Sequence, residues 1–297
     1  FTSIAQALGV GFQPFALPVF QRCMTLMQGT LTAEEQGVEG DKEFLVCSLD
    51  LISGMTEGMN SSIEGLIAGS QLPLVLYQCM RDPQPDVRQS AYALVGDLAK
   101  NCIGQLRPAL GEYLPVLTDQ LVPEFISVCN NASWAIGEVA VKVGGDMEPY
   151  VEAILQRLIP IVNRQNESLN KSLLENTAIT IGRLGYACPQ LAAPHLETFV
   201  QAWCHSLRSI RDDIEKEHAF HGLCGMIKLN PRAPINALAQ LCEAFVSWNQ
   251  PPPAELHDMF HQILHGYKVS IPPDQWAQFF GSLNENVQAR LSERYGL

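Results

Sequence analysis

Residues 124–143 read EFISVCNNASWAIGEVAVKV, and this stretch decides the fold. At about 100° per residue, Phe125, Cys129, Ala132, Ile136, Val139 and Val143 share one face of a helix. Trp134 falls on the opposite side, with Asn130 and Glu138 one turn before and after it. An indole ring on a polar face exposes a large apolar area, which calls for a partner or for a second packing layer. The stretch is therefore an amphipathic helix with one apolar side chain out of pattern.

The same helix recurs along the chain. A glycine sits late in one helix of each unit: Gly54, Gly96, Gly137, Gly182, Gly222 and Gly266, at spacings of 42, 41, 45, 40 and 44 residues. Each glycine helix follows a more uniformly apolar one, and alternating β-type runs are few. The expected pairs are 14–29 with 42–59, 62–81 with 85–102, 104–122 with 124–143, 147–164 with 173–187, 190–208 with 211–229, and 234–249 with 254–268. Residues 1–9 read as the end of a preceding pair and 273–296 as a terminal cap. The period is that of helix pairs of the HEAT or armadillo kind, in which small residues let neighbouring helices approach closely. The expected fold class is all-α, a HEAT-repeat solenoid: one continuous superhelix over residues 1–297 of about seven antiparallel helix pairs, the first incomplete.

Punctuation agrees with these boundaries. Pro85, Pro123, Pro149, Pro189 and Pro234 stand at or just before helix starts, where a missing amide costs nothing. Ser172-Leu-Leu-Glu175 has the form of a capping box. Residues 30–41 and 164–171 are the expected mobile loops.

Composition narrows the function. The chain has 297 residues, 47% hydrophobic and 17% charged, with 31 acids against 19 bases and a net charge of −12. Nucleic acid and anionic lipid are poor partners for such a surface, and basic ones are favoured. Nine cysteines are scattered singly without a Cys-x-x-Cys; Cys79, Cys129, Cys224 and Cys242 lie in apolar periodic stretches, as buried reduced thiols do. Asn60, Asn131, Asn166 and Asn170 open Asn-x-Ser sequons, read as chance occurrences. No signal peptide and no membrane-length apolar run are expected, and the abrupt start at Phe1 suggests a fragment.

Laid on helical wheels, the glycine helices present one outward wall. In 44–59, Leu45, Leu49, Ile52 and Met59 make the core face and leave Cys47, Asp50, Gly54 and Glu57 opposite. In 173–187 the core face is Leu174, Ala178, Ile181 and Gly185, opposed by Asn176, Ile179 and Arg183. Asp97 lies on a flank of 86–100. The wall then carries Asp50, Glu57, Asp97 and Glu138 as acids, Asn130 and Asn176 as amides, and Trp134 and Ile179 as apolar anchors. Amides along such a wall can hold the backbone of an extended peptide, and acids attract its basic side chains. The plain alternative is the solvated face of amphipathic helices.

No catalytic or metal site is expected, nor a cofactor. His257, His261 and His265 share a helical stripe without the Glu of His-Glu-x-x-His or a nearby Cys pair, and read as a packed or solvated stripe. His218, His221 and Cys224 lack the elbow that a Cys–His pair needs. Glycine-rich phosphate loops and nucleophile elbows are absent from the sequence. Arg211 to Glu217 is the charged start of a helix.

Four stretches carry a resemblance: EFISVCNNASWAIGE (124–138), SLLENTAITIGRLGYACPQ (172–190), DVRQSAYALVGDLAK (86–100) and SLRSIRDDIEKEHAF (206–220). They resemble the transportin family of β-karyopherin nuclear import receptors, in order and from residue 1 to 297. The resemblance implies the C-terminal part of a longer, non-enzymatic HEAT-repeat receptor that shuttles between cytoplasm and nucleus. Its partners would be disordered nuclear localisation signals, basic or hydrophobic and ending in Pro-Tyr, often from RNA-binding proteins. Ran GTPase and nucleoporins would act through the full-length receptor, and nucleic acid and membrane would not bind. The family's cargo contacts fall on Asn130, Trp134, Asn176 and Ile179, with acidic contacts at Asp50, Glu57 and Asp97. Cys47 stands where relatives can have valine. The alternative is a HEAT-repeat scaffold subunit of another complex, in which Trp134 would be covered.

Overall fold

A computed structural model describes residues 1–164 and 170–297; part of the 164–171 stretch expected to be mobile, and Asn166, lie outside the described residues. The described residues form helices and turns with no strand. They divide into two compact units, Phe1–Val143 and Gly144–Leu297.

The first unit holds α1 (Thr2–Leu8), α2 (Gln13–Glu35), α3 (Lys42–Met59), α4 (Glu64–Ile67), α5 (Leu72–Met80), α6 (Pro85–Leu106), α7 (Leu110–Asp119) and α8 (Ile126–Val143). Helix ends follow local chemistry. Asp41 caps α3, its carboxylate accepting the Glu43 amide at 3.0 Å. Pro85 occupies the first position of α6, where no amide partner is lost. At Gly9 (φ 56°) and Asn60 (φ 50°) the backbone turns left-handed and ends α1 and α3.

Two expectations change here. Residues 30–35 continue α2 rather than opening a loop, because Thr30 is buried and its hydroxyl donates back to the Leu26 carbonyl at 3.0 Å. By length and composition the 34 residues from Thr2 to Glu35 could cross a membrane, contrary to the sequence reading. In this fold they are two helices, broken at Gly9 and laid on α3.

Helix α3 packs on α1, α2 and α6, and α6 packs in turn on α8. Leu45, Leu49, Ile52 and Met59 are buried as the wheel requires. Each such side chain contributes roughly 1.5–3 kcal/mol on leaving water. Buried hydroxyls tie neighbouring elements: Tyr92 donates to the Met80 carbonyl at 2.7 Å, and Tyr113 to that of Pro73 at 2.6 Å. Gly54, placed on the outward wall by the wheel, is buried against Thr2 of α1.

The second unit holds α9 (Glu148–Val162), α10 (Lys171–Ala187), α11 (Pro189–Ala192), α12 (Leu196–Leu207), α13 (Ile214–Leu229), α14 (Leu238–Phe245), α15 (Ala254–Ser270), α16 (Pro273–Ser282) and α17 (Glu285–Tyr295). The cap of α10 is Asn170, accepting the Leu173 amide at 3.2 Å, rather than Ser172. The helix thus starts two residues early, and Glu175 pairs with Lys171 at 3.4 Å instead of closing a capping box. Helices α10 and α13 meet at glycines: a Cβ on Gly222 would lie 1.8 Å from the Gly182 carbonyl oxygen, so no other residue fits without moving the helices apart.

An aromatic cluster fills this unit. Phe245 and Phe260 stack at 3.9 Å, Phe220 meets Trp203 edge-on at 5.1 Å, and the Trp203 indole donates to the Ala178 carbonyl at 2.7 Å. Asp213 caps α13 through the Glu215 and Lys216 amides. Lys216 within that charged run is fully buried, its ammonium 2.8 Å from Asp212 and 4.7 Å from the Trp248 ring. The histidine stripe is a seam for α17: the ring Nε2 atoms of His257 and His265 lie 3.2 and 2.7 Å from the Arg294 and Tyr295 carbonyls, and His261 stacks on His265. Eight of the nine cysteines are buried and Cys47 is exposed.

Candidate functional site

In the first unit α6 lies between α3 and α8, meeting the first through Asp97 and Ser53 and the second through Gly96 and Trp134. Cys47, Asp50 and Glu57 are exposed on α3, and Glu57 accepts a hydrogen bond from the Gln6 amide. Beside Cys47 opens a hollow of about 930 Å³ whose lining includes Glu39, Asp41, Glu43 and Asp86. Its lone lysine, Lys42, is already held at 2.5 Å by both Glu34 and Asp82. The hollow is therefore net acidic, and the wheels missed its four carboxylates because they stand at helix starts and in the preceding turns. Runs of Asp and Glu just before apolar periodicity were the available signal.

Asp97 departs from expectation. It is buried on α6 rather than flanking an open face, and it accepts a hydrogen bond from the Ser53 hydroxyl of α3. Burial pushes its carboxyl up to about 7; Glu57 and Glu138 push the same way, against Ser53 and Lys100. A buried carboxyl held up in this way is a weaker lure for cations than an exposed one. Ser53, which the wheel did not single out, is the residue that seats it. Glu138, expected on the wall, is also buried.

Trp134 is half-buried, and its ring lies on the backbone of α6 at Gly96. A Cβ on Gly96 would sit 2.0 Å from Cζ3 and 2.5 Å from Cε3 of that ring. The glycine seats the indole: the Cε3–Cζ3–Cη2 edge of the ring meets α6, and the residue as a whole stays partly exposed. Asn130, one turn earlier, is half-buried, while Asn131 donates to the Gln89 carbonyl at 3.0 Å and ties α8 to α6. Phe125, assigned to the core face, is 52% exposed, because α8 begins only at Ile126.

In the second unit Asn176 is half-buried on α10. Ile179 is 6% exposed and Arg183 2% exposed, so neither stands on a solvated face as the wheel implied. Ala178, Ile181 and Gly185 of the expected core face are buried, but Leu174 is only half so, while Leu173 beside it is fully buried. Arg183 lies 3.4 Å from Glu215 of α13, so the tight glycine contact of these helices covers the side the wheel left open.

Comparison with known proteins follows the same lines. No family model matches the chain. Transportin-1 of Oryza sativa subsp. japonica is 49% identical over 305 residues, which cover 100% of this chain and 34% of that protein. The chain is homologous to a third of a transportin. Transportin-1 of Mus musculus is 46% identical over 303 residues, 100% of the chain and 33% of that protein, and the transportin of Dictyostelium discoideum is 40% identical over 303 residues, 99% and 32%. The transportin-like chain therefore spans about a third of the length of these relatives. Among solved structures, Kap121p bound to Pho4p aligns with a TM-score of 0.60 at 17% identity, over 88% of this chain and 24% of that one. Computationally designed armadillo repeat proteins for modular peptide recognition align at 0.59 and 18%, over 82% and 98%. These likenesses show an all-α helical-repeat fold.

Proposed function

We propose that this chain is the cargo-binding, C-terminal part of a transportin-type nuclear import receptor, its helix pairs forming one repeat series. It would take extended nuclear localisation signals, basic or hydrophobic, that end in Pro-Tyr. The observation that carries the reading is the identity of 40–49% with transportins along the whole chain. The site chemistry supports it: Asp50, Glu57 and the acidic hollow beside Cys47 suit basic side chains, and the seated, partly exposed Trp134 suits an apolar one. Asn130 and Asn176 would hold the peptide backbone, Asp97 would add less charge than an exposed acid, and Ile179 would serve from a mostly buried position. Ran and nucleoporins would act through the full-length receptor, which would shuttle between cytoplasm and nucleus.

A fluorescein-labelled basic signal peptide ending in Pro-Tyr, titrated against the chain, tests this. Binding that weakens when the peptide's bases are replaced by serine supports the proposal. Equal binding of both peptides, or of neither, removes it.

A further inference from the structure

A second surface lies within the second unit, on helices that carry none of the candidate cargo residues. Helices α10 and α13 close on each other through Gly182 and Gly222, but Gly266 of α15 meets nothing: a Cβ there would find no atom within 4 Å. Between α13 and α15 the packing opens into a groove of about 650 Å³. One wall is the stripe Met259, Ile263, Gly266 and Tyr267 on α15, spaced as one helix face; the other carries Ile227 of α13 and Ile235 beyond it. Ile235 is 50% exposed. Such an apolar face on a protein surface marks a docking site.

Charge identifies the occupant. The chain has 31 acids against 19 bases, yet the groove's lining contains no acid and two bases, Lys228 and Arg232. Both are exposed, and neither makes an ion pair among the described residues. The helix dipole accounts for a base at Lys228, in the last turn of α13, but not for Arg232 in the loop after it. Two unpaired cations over an acid-free apolar trough, on an otherwise acidic molecule, complement a ligand of the opposite pattern.

We propose that the α13–α15 groove docks a short acidic amphipathic segment of a partner protein, apolar side chains in the trough and carboxylates on Lys228 and Arg232. Its ligand is opposite in charge to the basic signal peptide proposed above, so the two ligands do not compete for one kind of surface. Tyr267, whose hydroxyl donates to the Pro231 carbonyl at 2.8 Å, fixes one end of the trough.

The probe is a labelled twelve-residue peptide alternating Leu-Leu with Glu-Asp pairs, with a lysine-for-acid version as control, both measured by anisotropy against the intact chain. The acidic peptide should bind and the lysine version should not. Lys228→Glu with Arg232→Glu should weaken it at least about tenfold. Gly266→Leu should also weaken it several-fold by filling the trough, while leaving the melting temperature unchanged or higher, since leucine favours a helix over glycine. Binding of the basic Pro-Tyr peptide should be the same in all variants, which separates this result from that of the first site. No binding of the acidic peptide, equal binding of the lysine version, or indifference to both variants would overturn the proposal. So would self-association of the chain that Gly266→Leu abolishes without any peptide binding, which would assign the groove to a second copy.

Discussion

Gly96→Ala isolates the contact on which the candidate site is built. Alanine at a helix interior is ordinarily worth roughly 1 kcal/mol over glycine. Here the added methyl would stand 2.0 Å from Trp134 Cζ3, well inside any real carbon contact, and the three nearest atoms all belong to that ring. Over-packing of this kind costs roughly 1–3 kcal/mol, so the net effect should be a loss of up to about 2 kcal/mol and a displaced indole. In a Trp134→Ala background the obstacle is gone, and the same substitution should stabilise by up to about 1 kcal/mol. The coupling therefore reverses the sign of the effect, which few packing errors can imitate. Urea titrations followed by far-UV circular dichroism on the wild type, both single variants and the double variant measure it. A Gly96→Ala effect of the same sign and size in both backgrounds would refute the seating of Trp134 on Gly96.

Three further outcomes follow from charges. Because burial raises the Asp97 carboxyl to about 7 from an ordinary 3.8, its stability contribution is full below about pH 4 and is lost as pH rises through about 7. Asp97→Asn should therefore gain on the wild type by roughly 2–3 kcal/mol between pH 5 and pH 8; urea midpoints that keep a constant difference across that range would contradict this. Asp50→Lys with Glu57→Lys should slow association of a basic signal peptide severalfold at low salt and much less at high salt, since the Debye length is only ~8 Å at 0.15 M. Stopped-flow rates insensitive to salt would exclude that role. Lys216→Ala, which strips a fully buried ammonium from Asp212 and Trp248, should cost about 3 kcal/mol, seen as a lower urea midpoint.

The repeat architecture was legible because period and punctuation are local. Helix spacing, the prolines at helix starts and the core face of α3 all follow from residues within one turn of each other. The site was legible only in part, because a wheel divides a helix into two faces while a helix inside stacked pairs has three sides covered. Glu138, Ile179 and Arg183 look outward on a wheel and are buried in the fold; for Arg183 the cause is the close approach of α13 to α10. Asp97 likewise needed Ser53, 44 residues away, to be placed. Trp134 carried the clearest signal, yet its seat on Gly96 was hidden, because the spacing of the glycines says that helices come close and not which side chain lies between them. Gly266 shows the converse, a glycine of the same series with nothing against it.

On the proposed function, the partly exposed Trp134 anchors an extended signal peptide. Parallel measurement of peptide affinity and of urea stability for the wild type and Trp134→Ala tests it most directly. Trp134→Ala should lose at least ~2 kcal/mol in binding, roughly thirtyfold in Kd, while staying folded at the assay temperature. Unchanged affinity in a folded Trp134→Ala chain would contradict it.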